Sequence, residues 1–286
     1  MLDKPAGLSS HGCVGRVRRA YGLKRVGHGG TLDPAVTGVL PIALGPATRL
    51  LPYLSGDKTY RGRIQLGLRT DSDDLEGTPL QQGPWPHLDA TALERALGGF
   101  RGTLAQRPPA VSAVHVNGQR AYKLARQGQT LELAARTVTI HRLELLGWDP
   151  ALGQVELLVS CSAGSYIRSL ARDLGELLGC GGCLASLRRT EALGFDLDQS
   201  VPLEALEQSP PPALVSPLQA LAHLPQHHLA DDDLAGWRCG RSQPCGQALP
   251  LDTAVVVVGP DGNLAGMARL QSEGQLQPRL VLDAAG

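Results

Sequence analysis

The chain has 286 residues, 42% of them hydrophobic, with Trp 3, Tyr 5 and Phe 2 as its aromatic complement and a formal net charge of zero. That length supports one large domain or two. It contains no run of about 18 apolar residues and no charged-then-apolar leader, so neither a membrane span nor secretion is expected and the cytoplasm is the expected compartment. Neutrality argues against a uniformly basic nucleic-acid binder, yet residues 1–70 carry eleven Lys and Arg against three Asp, a local excess of +8. Such a basic quarter suits a polyanion brought to that end of the chain, with a solvated basic face as the alternative.

Leu2-Asp3-Lys4-Pro5-Ala6-Gly7 reads as the end of a strand and a turn. Ser9 or Ser10 can N-cap a helix ending near Tyr21, with Gly22 as its C′ residue. Arg16 and Arg19 share a face of that helix. Residues 27–38 then hold four glycines and a proline around a single acid, Asp33. Pro34 drives Asp33 toward an extended conformation, and the glycines admit tight turns or a close approach. On residue type alone, Asp33 is either a turn aspartate or a reactive carboxylate on a stiff loop, and His28 is a loop histidine. Val39 to Gly45 is apolar and reads as buried.

Thr59 to Gly67 alternates as a half-buried strand with Tyr60 beside a basic edge. Asp71 to Gly77 is an acidic turn, and residues 89–98 form a short helix ending at Gly98-Gly99. The prolines after Arg107 exclude a central strand there. An Asn117-Gly118 turn leads into a second basic cluster with Arg120, Tyr122, Lys123 and Arg126. Val155 to Cys161 is a strand, and Ser165 can cap a helix whose apolar stripe is Ile167, Leu170, Leu174 and Leu178, with Arg168 and Arg172 off the stripe. The proline-rich run Ser209 to Pro217 approaches a domain boundary. Beyond it, Leu251 to Val258, a turn at Gly259-Pro260-Asp261-Gly262 and Leu280 to Leu282 suggest a small β-barrel. Cys180 and Cys183 have metal-ligand spacing that Cys239 and Cys245 could complete. Because the second pair lies past the boundary, reduced thiols are the reading adopted and no metal is expected.

Gly27-His28-Gly29-Gly30-Thr31-Leu32-Asp33-Pro34, closing on Thr37-Gly38, resembles the catalytic loop of the TruB family of pseudouridine synthases, which modify the TΨC loop of tRNA. Gly164-Ser165-Tyr166-Ile167-Arg168 resembles a second family segment, usually Gly-Thr-Tyr-Ile-Arg, and Leu187-Arg188-Arg189-Thr190 a third. The resemblance covers residues 1–200 well and the remainder loosely. It implies an α+β fold: a mixed, largely antiparallel central sheet with flanking helices, followed by a small C-terminal β-barrel similar to the PUA domain. The implied domains are a catalytic unit over 1–222, with an RNA-clamping insertion at about 84–128, and a PUA-like RNA-binding unit over 223–286.

The implied reaction is isomerisation of uridine 55 of tRNA to pseudouridine by base flipping, cleavage of the glycosidic bond and rejoining through C5. This moves neither electrons nor phosphate, so no cofactor is expected. Asp33 is then the essential acid, acting either as a nucleophile or as a base on the sugar. Arg168 pairs with it, and its fixed fork of donors orients the carboxylate. Tyr60 stacks on the target base and helps remove the C5 proton. His28, Gly30, Thr31, Asp74, Tyr166 and Leu187 fall at substrate-binding positions, and Arg49 falls where a phosphate contact is expected. The implied partners are the T-arm stem-loop and, through the C-terminal unit, the acceptor arm, engaged by a monomer. Three rivals stand beside this reading. The first is a non-catalytic tRNA-binding or chaperoning protein, and the second is a guide-RNA-dependent rRNA pseudouridine synthase, to which Val36-Thr37-Gly38 is closer. The third is a base-releasing glycosidase, which would need a second catalytic carboxylate.

Overall fold

The computed structural model describes residues 1–112, 114–116, 118–121, 124, 127 and 133–282. Tyr122, Lys123 and Arg126 of the second basic cluster lie outside the described residues. The chain opens with β1 (Leu2–Lys4) and α1 (Ser10–Tyr21). Ser9 is the residue that caps α1, its hydroxyl accepting from Gly12 N, and Gly22 ends the helix in the left-handed region at φ 63°. Next come β2 (Val26–His28), β3 (Thr37–Leu40) and β4 (Ile42–Leu44), so the apolar run after Asp33 is two short strands broken at Pro41. A 3-10 segment (Gly45–Tyr53) leads into the long strand β5 (Lys58–Leu66).

The middle of the chain supplies β6 (Leu68–Thr70), β7 (Pro79–Gln82), α2 (Ala90–Gly98, capped by Asp89) and β8 (Gly102–Gln106). The short strands β9 (His115–Val116) and β10 (Gln119–Arg120) then pair antiparallel. The strands β11 (Arg136–Asp149) and β12 (Gln154–Cys161), the helix α3 (Ile167–Leu177), and the strands β13 (Gly182–Ala192), β14 (Phe195–Asp196) and β15 (Val201–Pro202) complete the larger layer.

One nine-stranded sheet dominates, in the order β15-β1-β3-β13-β5-β12-β11-β8, with β14 paired to β13. Only β1–β15 and β13–β3 are parallel, so the sheet is mixed and largely antiparallel, as the resemblance implies. Leu170, Ala171 and Leu174 of α3 are buried against its core together with Ile64, Leu66 and Leu184. Ser165 does not cap α3: the N-cap position is Tyr166, no side chain accepts there, and the Ser165 hydroxyl is buried without a partner.

The C-terminal part begins with α4 (Pro217–Ala220) and β16 (Gln226–His228), and continues through α5 (Asp231–Arg238), β17 (Gln243–Pro244), β18 (Ala254–Val258), β19 (Leu264–Leu270) and β20 (Gln275–Val281). These strands form a five-stranded sheet in the order β16-β18-β19-β20-β17, around Trp237, Val255, Val257 and Leu276. The expected turn is present at Gly259 to Gly262 between β18 and β19. Among the described residues, no helix is long and apolar enough to cross a membrane.

Candidate active site

The loop bearing Asp33 is fastened on both sides of that residue. The Ser10 hydroxyl accepts from Leu32 N at 2.8 Å and donates to Leu32 O at 3.0 Å. Pro34 O accepts from Gly7 N at 2.9 Å and from Lys4 Nζ at 3.0 Å, and Val36 N closes a turn onto Asp33 O at 3.1 Å. Lys4 also donates to Pro5 O and Leu8 O and has no exposed surface. Held in this way, the Asp33 side chain remains 43% exposed, which leaves its carboxylate open to an incoming group.

Arg168 stands in the first turn of α3, a helix with no side-chain cap. Its guanidinium is 8% exposed and meets Asp33 Oδ2 at 3.0 Å and Asp74 Oδ2 at 3.5 Å. It also donates to Ser72 O at 2.9 Å and Val111 O at 3.0 Å. Two carbonyls accept hydrogen bonds from the guanidinium and two carboxylates pair with it, so the fork is held in one plane beside Asp33.

These groups open on a cavity of about 250 Å³. Tyr60 and Leu187 form its apolar wall. Period-2 alternation along β5 buries Tyr60, Gly62 and Ile64 and exposes Arg61 and Arg63. Gly62 pairs with Leu187 across β5 and β13, and a Cβ on Gly62 would lie 3.0 Å from Leu187 Cδ1, so the glycine lets Leu187 lie over the strand. Burial pushes the Tyr60 phenol above its ordinary pKa, while Arg189 pulls it down. The Tyr166 backbone is gripped by Gln106 of β8, which donates to its carbonyl at 3.1 Å and accepts from its N–H at 2.8 Å.

Seven of the ten residues expected at the site line this cavity: Gly30, Thr31, Asp33, Tyr60, Tyr166, Arg168 and Leu187. Three do not. Asp74 sits behind Arg168, bound by Ser72 Oγ and Glu76 N. His28 lies on β2, its Nδ1 buried without a partner and its pKa pushed down by burial and by Arg189. Arg49 faces the C-terminal sheet, donating to Val281 O at 3.4 Å. Leu32, Val36, Lys58, Gly164, Ser165 and Ile167 also line the cavity, though none of them was expected as a site residue. For Lys58 a signal existed: it precedes Tyr60 by two, hence shares its strand face. Among the described residues, no three His, Cys, Asp or Glu side chains gather as metal ligands.

Asp33 and Arg168, paired at 3.0 Å, thus stand beside a hollow of about 250 Å³ that Tyr60 and Leu187 also line. The description "TruB family pseudouridylate synthase (N terminal domain)" matches residues 18–167, and "tRNA pseudouridylate synthase B C-terminal domain" matches residues 168–211. A tRNA pseudouridine synthase B of Parasynechococcus marenigrum (strain WH8102) is 63% identical over 290 residues, covering 100% of this chain and 97% of that protein. Its counterpart in Synechococcus sp. (strain ATCC 27144) is 50% identical over 288 residues, covering 99% and 97%. The chain belongs to the TruB family of pseudouridine synthases.

The fold is also that of a chain in an H/ACA RNP bound to a substrate RNA containing 2′-deoxyuridine. There the TM-score is 0.73 at 22% identity, over 98% of this chain and 83% of that one. A Cbf5-Nop10-Gar1 complex gives a TM-score of 0.69 at 24% identity, over 98% and 82%.

Proposed function

We propose that this protein isomerises uridine 55 in the TΨC loop of tRNA to pseudouridine. The observation that carries the reading is the 3.0 Å pair of Asp33 and Arg168 at the mouth of the cavity walled by Tyr60 and Leu187. The relatives named tRNA pseudouridine synthase B, at 63% and 50% identity over nearly the whole chain, support the choice of tRNA.

In this reading the target nucleotide leaves its stack, at a cost of a few kcal/mol, and its uracil enters the cavity. Stacking on Tyr60 returns about 1–3 kcal/mol of that cost. Asp33 acts at the ribose, and the N1–C1′ bond breaks with its electron pair leaving on the base. The hollow retains the detached uracil, which turns and bonds to C1′ through C5. The C5 proton is then lost, and N1 gains one. Arg168 keeps the Asp33 carboxylate aimed at the sugar throughout, with Asp74 bracing Arg168 from behind. Gly30, Thr31 and Tyr166 shape the cavity rim, and His28 contacts the substrate from β2. Arg49, against the C-terminal sheet, serves phosphate contact where the two parts of the molecule meet.

Residues 1–222 act as the catalytic unit, with about 84–128 clamping the stem-loop. Residues 223–286 serve as a PUA-like module for the acceptor arm of a tRNA bound by a monomer. The test is chemical mapping of pseudouridine on tRNA incubated with purified protein, chelator present and no guide RNA. The parent protein is expected to modify position 55, and Asp33→Ala to bind tRNA and form no product. Full product from Asp33→Ala would falsify the assignment, and release of free uracil would favour a glycosidase.

A further inference from the structure

Arg189 is fully buried. It stands on β13 directly across from Tyr60 of β5 on one side and from Gly38 of β3 on the other. Its Nε donates to Val39 O at 2.7 Å and its Nη2 to Gly30 O at 3.2 Å, whereas Nη1 is buried and completes no hydrogen bond. No carboxylate pairs with it among the described residues. A buried guanidinium without a counterion is costly, and an unmade hydrogen bond adds to that cost. The groups that sense its charge are the Tyr60 phenol from β5, the Lys58 ammonium beside it and the His28 imidazole from β2. Of these, only Tyr60 can become an anion. Cys161 of β12 and Asp33 also face the phenol and disfavour its ionisation, whereas Arg189 favours it. Directly opposed residues on neighbouring strands share a face, with Cβ atoms about 5 Å apart. Tyr60 reaches the cavity and Arg189 does not. Arg189 therefore acts through the tyrosine.

We propose that Arg189 is a positioning residue for Tyr60, its unpartnered Nη1 aiming the phenol and neutralising the phenolate that forms while a proton travels from C5 to N1 of the uracil ring. This rests on the isomerase reading above. The detached base leaves with the N1 electron pair, and the Tyr60 O–H gives N1 its proton and becomes a phenolate. The C5=C6 electrons then form the C5–C1′ bond. The phenolate takes the C5 proton, the C5–H pair restores the ring double bond, and Tyr60 is a phenol again. A fixed cation beside the oxygen lowers the cost of the state between the two transfers.

The experiment uses full-length protein and tRNA transcripts carrying uridine or C5-deuterated uridine, with the single-turnover rate followed from pH 6 to 10. Arg189→Gln is expected to slow turnover by about 10²-fold, the lower range for a lost acid–base element. It should also show a large primary deuterium effect, with a rate that climbs toward high pH. Arg189→Lys, which keeps the cation but loses the Nε and Nη2 bonds, is expected to recover most of the rate and to keep the parent isotope effect. Circular dichroism and tRNA binding establish that the variants fold. If Arg189→Gln does not fold, Arg189→Lys carries the test alone.

A folded Arg189→Lys as slow as a Tyr60→Phe protein overturns the proposal, because a structural role in the β3 and Gly30 contacts then suffices. So does an Arg189→Gln protein whose rate drops with no change in isotope effect or pH profile. A parent protein that makes no pseudouridine sinks the underlying reading instead, and this is visible before any variant is assayed.

Discussion

Lys4 has its ammonium wholly out of water, held by three carbonyls, and one of these belongs to the residue after Asp33. Replacing it by methionine keeps the volume but strands Pro5 O, Leu8 O and Pro34 O. Lys4→Met is therefore expected to lower stability by about 2–4 kcal/mol in urea melts. It should also reduce turnover more than tRNA affinity, since the Asp33 loop loses an anchor while the basic surface is untouched. A variant with parental stability would show that the three carbonyls are satisfied in another way. In the sequence, Lys4 is one of eleven basic residues near the N-terminus and looks like any of them. Asp33, Arg168 and Leu187 were legible because each sits in a contiguous motif. Arg189 sits beside Leu187 in the same motif, yet nothing local says that it is buried against Tyr60. That fact arises from β13 pairing with β5, some 130 residues apart in the chain, in a register no short window contains.

Elements were more legible than their contacts. The N-cap of α1, its glycine stop, the alternation of β5 and the stripe of α3 all follow from local rules, and the structure carries each of them. The cap of α3 did not follow, because serine preference is statistical and Gln106, brought in by β8, pins the Tyr166 backbone instead. What seats α3 is equally non-local: Gly175, whose Cβ would come 2.0 Å from Gly182 N of β13. Helix and strand approach there backbone to backbone. A methyl group must push them apart, and α3 carries Arg168. Gly175→Ala is thus expected to cost about 2–3 kcal/mol of stability as an overpacking change. Its fall in turnover should exceed that from Gly179→Ala, a left-handed position with open space around it where only backbone strain is added. Parallel urea melts and single-turnover assays of the two proteins decide the point. Equal turnover in both would separate α3 seating from Arg168 placement.

At the scale of the molecule, the proline run read as an approach to a boundary does precede a second sheet, but the chain does not swing free there. Tyr21 of α1 donates its hydroxyl to Pro212 O at 2.6 Å, and Leu50 of the 3-10 segment packs with Leu221, Met267 and Leu280. Arg49, one residue from Leu50, reaches Val281 at the same seam. A seam of buried leucine and methionine thus packs the two parts against each other. Arg238 at the end of α5 and Arg279 on β20 are exposed on the C-terminal part and stand in no ion pair among the described residues. If that surface meets the acceptor arm, reversing both charges should weaken binding of full-length tRNA by about tenfold at physiological salt, with a shallower dependence on salt concentration. An isolated T-arm hairpin, too short to span the seam, should be modified by the double variant as well as by the parent. Equal losses on both substrates would mean that these arginines act through the catalytic part or through folding, and unchanged binding of full-length tRNA would leave the acceptor arm to another face. Because both assays read the same product at the same cavity, their comparison separates the reach of the C-terminal sheet from the chemistry proposed at Asp33.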